Sequence, residues 1–325
     1  MNNCLNRLFF SSYKTLIHMN PIHPLLSICI PVKDFDVHPL VDALLKEVRE
    51  QQLSIEILIV EDGSDASGKL LNDSLHQEPE VSLFSFEKNK GRSAARNYMA
   101  QKAHGEYLLF IDADSLPVSP RFISIYLDQL RSDVILSGGR HYSDLYRTPG
   151  HLLHWKYGIH REIASAIKTN RVGFQSNNFL IKKSIFDIIR FDESLVLYGH
   201  EDTLFGIMAK AHGIAVAGID NPVIHTCLET NEVFLNKTED GVISLLQIIR
   251  QKALYPDGIE KEFKLWAVYE RLYQYKLTAL LHLLSFAIAP IKKILLSLAG
   301  PLVLFDFYKL LLLHKGLISI QPRHK

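Results

Sequence analysis

Between residues 25 and 111 the chain alternates short apolar runs with longer stretches in which apolar residues recur every three or four positions. Short runs are typical of buried strands, and the recurrence of Leu40, Leu44 and Val48 is typical of a helix packed by one face. The pattern predicts strands at Ser27–Val32, Ile55–Val60, Val81–Phe86 and Tyr107–Ile111, and a helix at Ser93–Ala103. Because strands separated by such helices pair in parallel through right-handed crossovers, we predict an α/β fold with a mostly parallel sheet flanked by helices.

The same pattern continues after residue 134. A helix is predicted to begin at Glu201-Asp202 and to end at Gly213, because glycine favours helix ends. Further strands are predicted at Ile214–Ala217 and Val223–His225, and further helices at Phe234–Gln251 and Lys261–Tyr275. We therefore expect a poorly ordered lead over 1–24, an α/β domain over 25–230, a helical extension over 231–275 and an apolar segment over 276–325.

The apolar segment Leu277–Leu313 is divided by polar residues, namely Pro290, Lys292 and Lys293 in its middle and Asp306 and Lys309 further on. A membrane-spanning helix needs about 20 predominantly apolar residues, which neither half supplies cleanly. The pattern favours amphipathic helices in a membrane interface, with Lys292, Lys293, Lys309 and Lys315 near anionic headgroups. The alternatives are a re-entrant hairpin and a pair of helices packed on the α/β domain.

Composition narrows the class of protein. A hydrophobic content of 47% with 22% charged residues is ordinary for a globular protein with a large core. A net charge of +1 offers no broad basic surface, so we expect no nucleic-acid partner. Cys4, Cys29 and Cys227 form neither a disulfide framework nor a zinc motif, which favours a reducing compartment. The run Leu8-Phe9-Phe10 is too short for a signal peptide, and Met19 is an alternative start.

Carboxylates follow two of the predicted strands. Asp112 and Asp114 come directly after Tyr107–Ile111, and Asp62 follows the second strand. Ligands of doubly wound sheets bind at the carboxyl ends of strands, and Mg²⁺-like cations take carboxylate oxygens together with substrate phosphates. A helix cap at Asp114 and an Asx turn at Asp62 are the structural alternatives. No glycine-rich phosphate loop of the G-x-G-x-x-G or G-x-x-x-x-G-K-[ST] kind is present in the sequence. We therefore expect a bound metal ion to coordinate the phosphate groups of the ligand.

A loop entering a helix lies between these two strands. Within Asn89–Asn97, Arg92 and Arg96 lie one helical turn apart, close to the helix N-terminus. Cations there oppose the helix dipole, which indicates a functional reason for them. We expect this loop to neutralise a diphosphate or to hold a nucleotide, and a solvated basic helix start is the alternative.

Together these segments resemble glycosyltransferase family 2. The resemblance covers roughly residues 25–230 and rests on five segments in order, Ser27–Val32, Val60–Asp65, Asn89–Asn97, Phe110–Asp114 and Gly199–Asp202. It departs mildly at Lys33-Asp34, where the family often has Tyr-Asn, and at Glu61, where a second Asp is common. The family implies the GT-A fold and an inverting transfer from a nucleotide-diphosphate sugar, with a UDP-sugar favoured, to a glycan or lipid-linked glycan.

The resemblance also implies roles for individual residues. It implies that Pro31, Asp34 and Asp62 line a nucleoside pocket, assisted by Arg96. It implies a metal-binding role for Asp114, and it implies that Asp112 helps to position the metal and the sugar. Asp114 would hold Mn²⁺ or Mg²⁺, and His225 would add a metal or diphosphate contact unless it is an ordinary hydrogen-bonded histidine. Asp202 matches the second acid of the family's Glu-Asp motif and is assigned as general base, with Glu201 as an acceptor-binding or supporting group.

Two other classes of protein share some of these features. A haloacid dehalogenase-type phosphatase would use Asp112 as a nucleophile, but it places that strand first in the chain, whereas three strands are predicted before it here. A non-catalytic sugar-nucleotide-binding or membrane-scaffold protein would be favoured if Asp114 or Asp202 were missing, and both are present. We expect an enzyme of cell-surface glycan synthesis, cytoplasmic and peripheral on the inner face of the cell membrane.

Overall fold

The structure, a computed structural model, describes residues 24–163 and 174–319. Cys4 and Met19 lie outside these ranges, and so does nearly all of the predicted lead. In the described part, ten strands are β1 Leu26–Val32, β2 Ile55–Asp62, β3 Val81–Phe86, β4 Tyr107–Ile111, β5 Ser115–Pro117, β6 Val134–Ser137, β7 Arg140–Tyr142, β8 Asn178–Lys182, β9 Ala215–Gly218 and β10 Val223–His225.

Seven strands form the main sheet, in the order β3-β2-β1-β4-β8-β6-β9. The four predicted strands β1 to β4 pair in parallel, β6 and β9 are also parallel, and β8 runs antiparallel to both of its neighbours. Successive residues of β1 face opposite sides, so that Ile28 and Ile30 join the core on one face and Cys29 joins the core on the other. The predicted mostly parallel α/β sheet is confirmed.

Helices cover both faces of this sheet and extend beyond it. In chain order they are α1 His38–Gln51, α2 Ala66–Asn72, α3 Arg92–Lys102, α4 Phe122–Leu127, α5 Leu152–Tyr157, α6 Lys183–Ile189, α7 Glu201–Ala211, α8 Asn231–Arg250, α9 Lys264–Gln274, α10 Thr278–Leu283, α11 Ile288–Leu298 and α12 Leu302–Ile318. The periodic residues Leu40, Leu44 and Val48 are buried on α1, as predicted. Gly213 follows α7 with φ +74°, a left-handed conformation that ends the helix.

A second sheet, which the sequence did not predict, has the order β5-β10-β7. Its strands are only three residues long, too short to show a periodic pattern. In its register His225 lies opposite both Ser115 and Tyr142. Because Ser115 follows Asp114 directly, this small sheet carries His225 to the acidic end of β4.

The C-terminal helices build a core of their own. Phe305, Tyr308 and Leu311 on α12 are at most 1% exposed, and α12 packs against α8 and α11. The Tyr308 hydroxyl donates to the Glu239 carboxylate of α8, which fixes one helix on the other. The final helix of the apolar segment is therefore part of the protein interior.

The preceding stretch is different. Thr278–Leu298 is helical throughout and is the one stretch among the described helices that is long and apolar enough to cross a membrane by length and composition. Pro290 does not break it, in contrast to the expectation, because this residue lies in the first turn of α11, where an N–H is not needed. Leu283 and Phe286 are 67% and 74% exposed, so this stretch presents apolar side chains to its surroundings.

Candidate active site

The carboxyl ends of β1 and β2 carry the residues expected at a nucleoside. The Asp62 carboxylate is buried and accepts hydrogen bonds from the backbone N–H groups of Lys90, at 2.7 Å, and Gly91, at 2.9 Å. The chain can pass this close because a Cβ at Gly63 would lie 2.1 Å from the Asn89 nitrogen. Asp62 therefore shapes the loop that leads into α3.

Asp34 lies across from this loop, beyond the half-buried Pro31 of β1. Its backbone N–H donates to the Ser64 hydroxyl at 2.9 Å, and its side chain accepts from the Asp65 N–H at the same distance. Its φ of 51° is left-handed, a conformation that aspartate tolerates better than most residues. The three residues expected at a nucleoside thus gather at the ends of two adjacent strands.

Arg96 reaches the acidic end of β4. Its side chain is fully buried, and its Nη2 donates to Asp112 Oδ1 at 2.8 Å. The guanidinium also lies 5.1 Å from the centre of the Phe191 ring. Its Nε and Nη1 atoms have no hydrogen-bond partner among the described residues. Arg96 therefore orients Asp112.

Asp114 pairs with His225, with 3.3 Å between Oδ1 and Nδ1. The Asp114 carbonyl oxygen accepts from both the N–H and the hydroxyl of Thr226, at 2.8 and 3.0 Å, which fixes this backbone. Burial alone would raise the pKa of Asp114, but the hydrogen bond and charge of His225, together with the charges of Arg140 and Arg92, lower it below its usual range. Asp114 is thus held as a carboxylate.

These groups fit a cation that shares its coordination with a substrate. Among the described residues, no three or more His, Cys, Asp or Glu side chains form a group able to hold a metal by themselves. Mg²⁺ usually keeps several waters and binds through one or two carboxylates together with substrate phosphates. Asp114 and His225 supply an oxygen and a nitrogen donor of this limited kind, and the Arg96-bound Asp112 stands two residues away.

Glu201 and Asp202 begin α7, after a tight turn in which Gly199 and His200 have φ values of 99° and 70°. Glu201 Oε2 accepts from the Gly199 N–H at 3.1 Å, and its Oε1 lies 3.9 Å from Arg92 Nη1. Asp202 Oδ1 accepts from the Thr203 N–H at 2.6 Å. Burial and the charge of Glu201 raise the pKa of Asp202 to about 6, near the value that suits a general base at neutral pH.

Three residues that the sequence analysis did not single out complete the surroundings. Arg140 Nη1 donates to the Tyr142 hydroxyl at 3.2 Å, and the pKa of Arg140 is raised, against the effect of burial, by Tyr142 and by the charges of Glu162 and Asp112. The Arg92 guanidinium lies 4.8 Å from the centre of the Tyr198 ring, and Lys237 of α8 lies 5.0 Å from the same centre. Tyr198 is adjacent to the Gly199–Asp202 motif, which was a usable signal. Arg140 and Lys237 have no local signal, because tertiary packing brings them here.

The fold and this arrangement of acids and cations can be compared with known proteins. The profile described as Glycosyl transferase family 2 matches residues 27–189, about half of the 325 residues. The chain belongs to glycosyltransferase family 2. Three of the described strands precede β4, whereas the phosphatase alternative requires that strand to be first.

Individual relatives match over part of their length. An uncharacterized glycosyltransferase of Haemophilus influenzae is 29% identical over 119 residues, which is 36% of this chain and 47% of the relative. The minor teichoic acid biosynthesis protein GgaB of Bacillus subtilis is 24% identical over 174 residues, 52% of this chain and 19% of that protein. The chain thus spans less than half the length of either relative.

A solved structure matches over nearly the whole chain. The mannosyltransferase PcManGT from Pyrobaculum calidifontis, in complex with GDP-Man and Mn²⁺, has a TM-score of 0.58 at 13% identity, with 94% of this chain and 90% of that chain covered. At this identity the likeness shows a shared fold. The expected GT-A fold is therefore confirmed, with its helical C-terminal region.

Proposed function

We propose that this protein transfers a sugar from a nucleotide-diphosphate donor, with a UDP-sugar favoured, to a hydroxyl group of a glycan or lipid-linked glycan. The observation that carries the proposal is the meeting of separate chain segments at one edge of the sheet. From α3, Arg96 contacts Asp112 at the end of β4 at 2.8 Å, and Arg92 lies 3.9 Å from Glu201 at the start of α7. A site for an anionic donor with a base beside it is what glycosyl transfer requires.

Inversion by single displacement assigns a separate task to each part of this site. Asp202 takes the proton from the acceptor hydroxyl as its oxygen attacks the anomeric carbon, and the bond to the diphosphate breaks. Glu201 holds the turn before α7 through the Gly199 N–H, which keeps Asp202 in place. Pro31, Asp34 and Asp62 line the nucleoside end, and Arg96 orients Asp112 beside the sugar and diphosphate.

Asp114 and His225 are the residues that would hold Mn²⁺ or Mg²⁺. Such an ion, when bound, neutralises negative charge on the donor phosphates. The lowered pKa of Asp114 keeps this side chain an anion at neutral pH, the form that a cation needs. The Mn²⁺ that accompanies GDP-Man in the mannosyltransferase of the same fold supports this proposal.

A thermal-shift panel tests the donor class. Nucleoside diphosphates carrying different bases are added to the wild type with Mn²⁺, and the midpoint of unfolding is measured. A ligand that binds only the folded state at 100 times its Kd stabilises it by about 2.7 kcal/mol. Selective stabilisation by one base followed by transfer of the corresponding labelled sugar supports the proposal. Binding without transfer to any glycan acceptor favours the non-catalytic alternative, and no binding at all refutes both.

We also propose that Thr278–Leu298 attaches the enzyme to the cytoplasmic face of a membrane, by lying in the interface. Leu280, Leu283 and Phe286 are spaced by three residues and at least half exposed, so they share one helical face. Lys293 and Lys315 are exposed and available to anionic headgroups. Of the other lysines expected there, Lys292 pairs with Glu239 and Lys309 with Asp306. The teichoic acid protein among the relatives supports a role in cell-surface glycan synthesis.

A further inference from the structure

Helix α8 lies outside the chain segment that resembles the family. It nevertheless brings a lysine near the acidic end of β4. The Lys237 ammonium forms an ion pair with Glu229 and lies over the Tyr198 ring, 5.0 Å from its centre. The Arg92 guanidinium lies over the same ring at 4.8 Å. Two cations from distant segments are thus gathered on one aromatic side chain.

The packing of α8 fixes this arrangement. The Ser244 hydroxyl of α8 donates to the Tyr198 carbonyl oxygen at 3.3 Å. A Cβ at Gly199 would lie 3.0 Å from the Cα of Gly241, so helix and turn approach each other closely. Lys237 therefore has a defined position relative to the turn that carries Glu201 and Asp202.

Lys237 also interacts electrostatically with charged residues of the candidate site. Burial and the Arg92 guanidinium lower its pKa to about 8, whereas Asp114 and Asp112 act in the opposite direction. The Lys237 side chain remains 30% exposed and the Arg92 side chain 42% exposed, so a ligand can reach both. An anion that binds near both of these cations reduces the repulsion between them.

Glu229 is the present counterion of Lys237, and it is itself held in place. Its backbone N–H donates to His154 Nδ1 at 3.0 Å, and the His154 ring lies 5.4 Å from that of His225. This hydrogen bond needs the lone pair of His154 Nδ1, so the unprotonated nitrogen faces Glu229. Glu229 is thus fixed next to the Asp114–His225 pair.

We infer that Lys237, together with Arg92, binds the diphosphate of the donor and stabilises it as the leaving group. In the transfer step the anomeric carbon–oxygen bond breaks and its electron pair stays on the diphosphate, while the acceptor oxygen bonds to the carbon and its proton goes to Asp202. Lys237 stabilises the negative charge that develops on the leaving oxygen. When the donor binds, the Lys237 ammonium exchanges its contact with Glu229 for contacts with phosphate oxygens. This inference rests on the proposed function and adds α8 to the donor site.

The effect of single substitutions on ligand binding distinguishes a diphosphate-binding Lys237 from a Lys237 that only forms a structural ion pair. If the Lys237–Glu229 pair only stabilises the fold, removal of either charge should have the same effect on ligand binding. If Lys237 binds diphosphate, Lys237→Met should weaken binding, whereas Glu229→Gln should leave it unchanged or strengthen it, because the lysine loses a competitor. Lys237→Arg keeps the charge and should restore most of the affinity. Lys252→Met removes an exposed lysine just after α8 and is the matched control.

The measurement is the Kd of UDP and of UMP in the presence of Mn²⁺, or of the diphosphate and monophosphate of whichever base stabilises the wild type. A charge-assisted contact to the second phosphate is expected to make Lys237→Met weaker for the diphosphate on the order of tenfold or more, with the monophosphate changed by less than about twofold. Turnover should fall as well. Should Lys237→Met fail to unfold cooperatively, Lys237→Gln carries the same comparison.

Equal Kd values for the diphosphate in Lys237→Met and the wild type would overturn the inference. Equal losses in Lys237→Met and Glu229→Gln would overturn it too, in favour of a structural pair. Both outcomes require a wild type that binds the diphosphate. A wild type that binds no nucleoside diphosphate instead refutes the proposed function, so the two failures are distinguishable.

Discussion

Replacement of Asp202 by asparagine tests the assignment of the base. In the structure Asp202 Oδ1 accepts from the Thr203 N–H at 2.6 Å and from the Thr203 hydroxyl at 3.3 Å. An asparagine side chain carries an equivalent carbonyl oxygen, so Asp202→Asn keeps these hydrogen bonds in the first turn of α7. The variant loses only the ability to take up a proton. We therefore expect an unchanged fold and nearly unchanged donor binding.

The expected loss of turnover is on the order of 10²-fold or more, the usual contribution of a positioned general base. The pH profile follows from the environment of Asp202. Burial and the charge of Glu201 raise its pKa to about 6, and only the carboxylate form accepts a proton. The ionised fraction is about one tenth at pH 5 and about nine tenths at pH 7. Because these fractions are about 1/11 and 10/11, turnover of the wild type should rise roughly tenfold between these values.

The assay is the initial rate of sugar transfer at saturating donor, with the Kd of the donor measured separately. Asp202→Asn should lose the rise in rate near pH 6, together with most of the rate. Glu201→Gln is the comparison, because it removes one of the two causes of the raised pKa of Asp202, so the rise in rate should remain but move to lower pH. Wild-type turnover in Asp202→Asn, or an unaltered profile, would move the role of base to another residue.

Three further predictions concern the metal, the membrane and the C-terminal core. Asp114→Ala should abolish Mn²⁺-dependent stabilisation by nucleoside diphosphate while unfolding stays cooperative, and unchanged nucleotide affinity of the wild type in EDTA would refute the metal site. The double change Leu283→Asn with Phe286→Asn removes two exposed apolar groups, each worth about 1.5–3 kcal/mol when buried, and should lower the partition coefficient for anionic vesicles, measured by co-sedimentation, by on the order of 10²-fold or more. Equal sedimentation of variant and wild type would contradict the interfacial proposal. Leu311→Ala in the α12 core should lower the free energy of unfolding by about 2–5 kcal/mol, whereas Leu298→Ala, at a 70% exposed position, should change it by no more than about 0.5 kcal/mol in denaturant titrations. Equal effects at the two sites would refute the packing argument.

The ends of a strand were predictable from the sequence where the apolar run and the hydrogen-bonded pairing cover the same residues. The bounds of β3 and β4 agree with the apolar runs residue for residue. The sequence prediction ended β2 at Val60, because polar residues follow. In the structure Glu61 and Asp62 still pair with Ser85 and Phe86, so hydrogen bonding carries the strand two residues further. Strand ends therefore depend on partners that a single run of residues does not reveal.

The candidate site was predictable only where its residues follow strands or begin helices. Asp62 and Asp114 carry such signals, and the structure places both at the same edge of the sheet. His225 lies beside Asp114 because of a three-residue strand with no periodic signal. Lys237 lies in the second turn of α8, where a lysine is the ordinary choice for a solvated face. Its position over Tyr198 comes from the packing of α8, which no local pattern encodes.

The burial of α12 has a consequence for the order in which the chain is made. The last strand of the main sheet ends at Gly218, and α12 ends at Ile318. At 5–20 residues per second, about 100 residues of further synthesis separate these points by roughly 5–20 s. During that interval the sheet has all its strands, but α8 lacks the helix that covers its apolar face. A nascent chain at this stage exposes the apolar face of α8 to aggregation or to chaperones until α12 has been made.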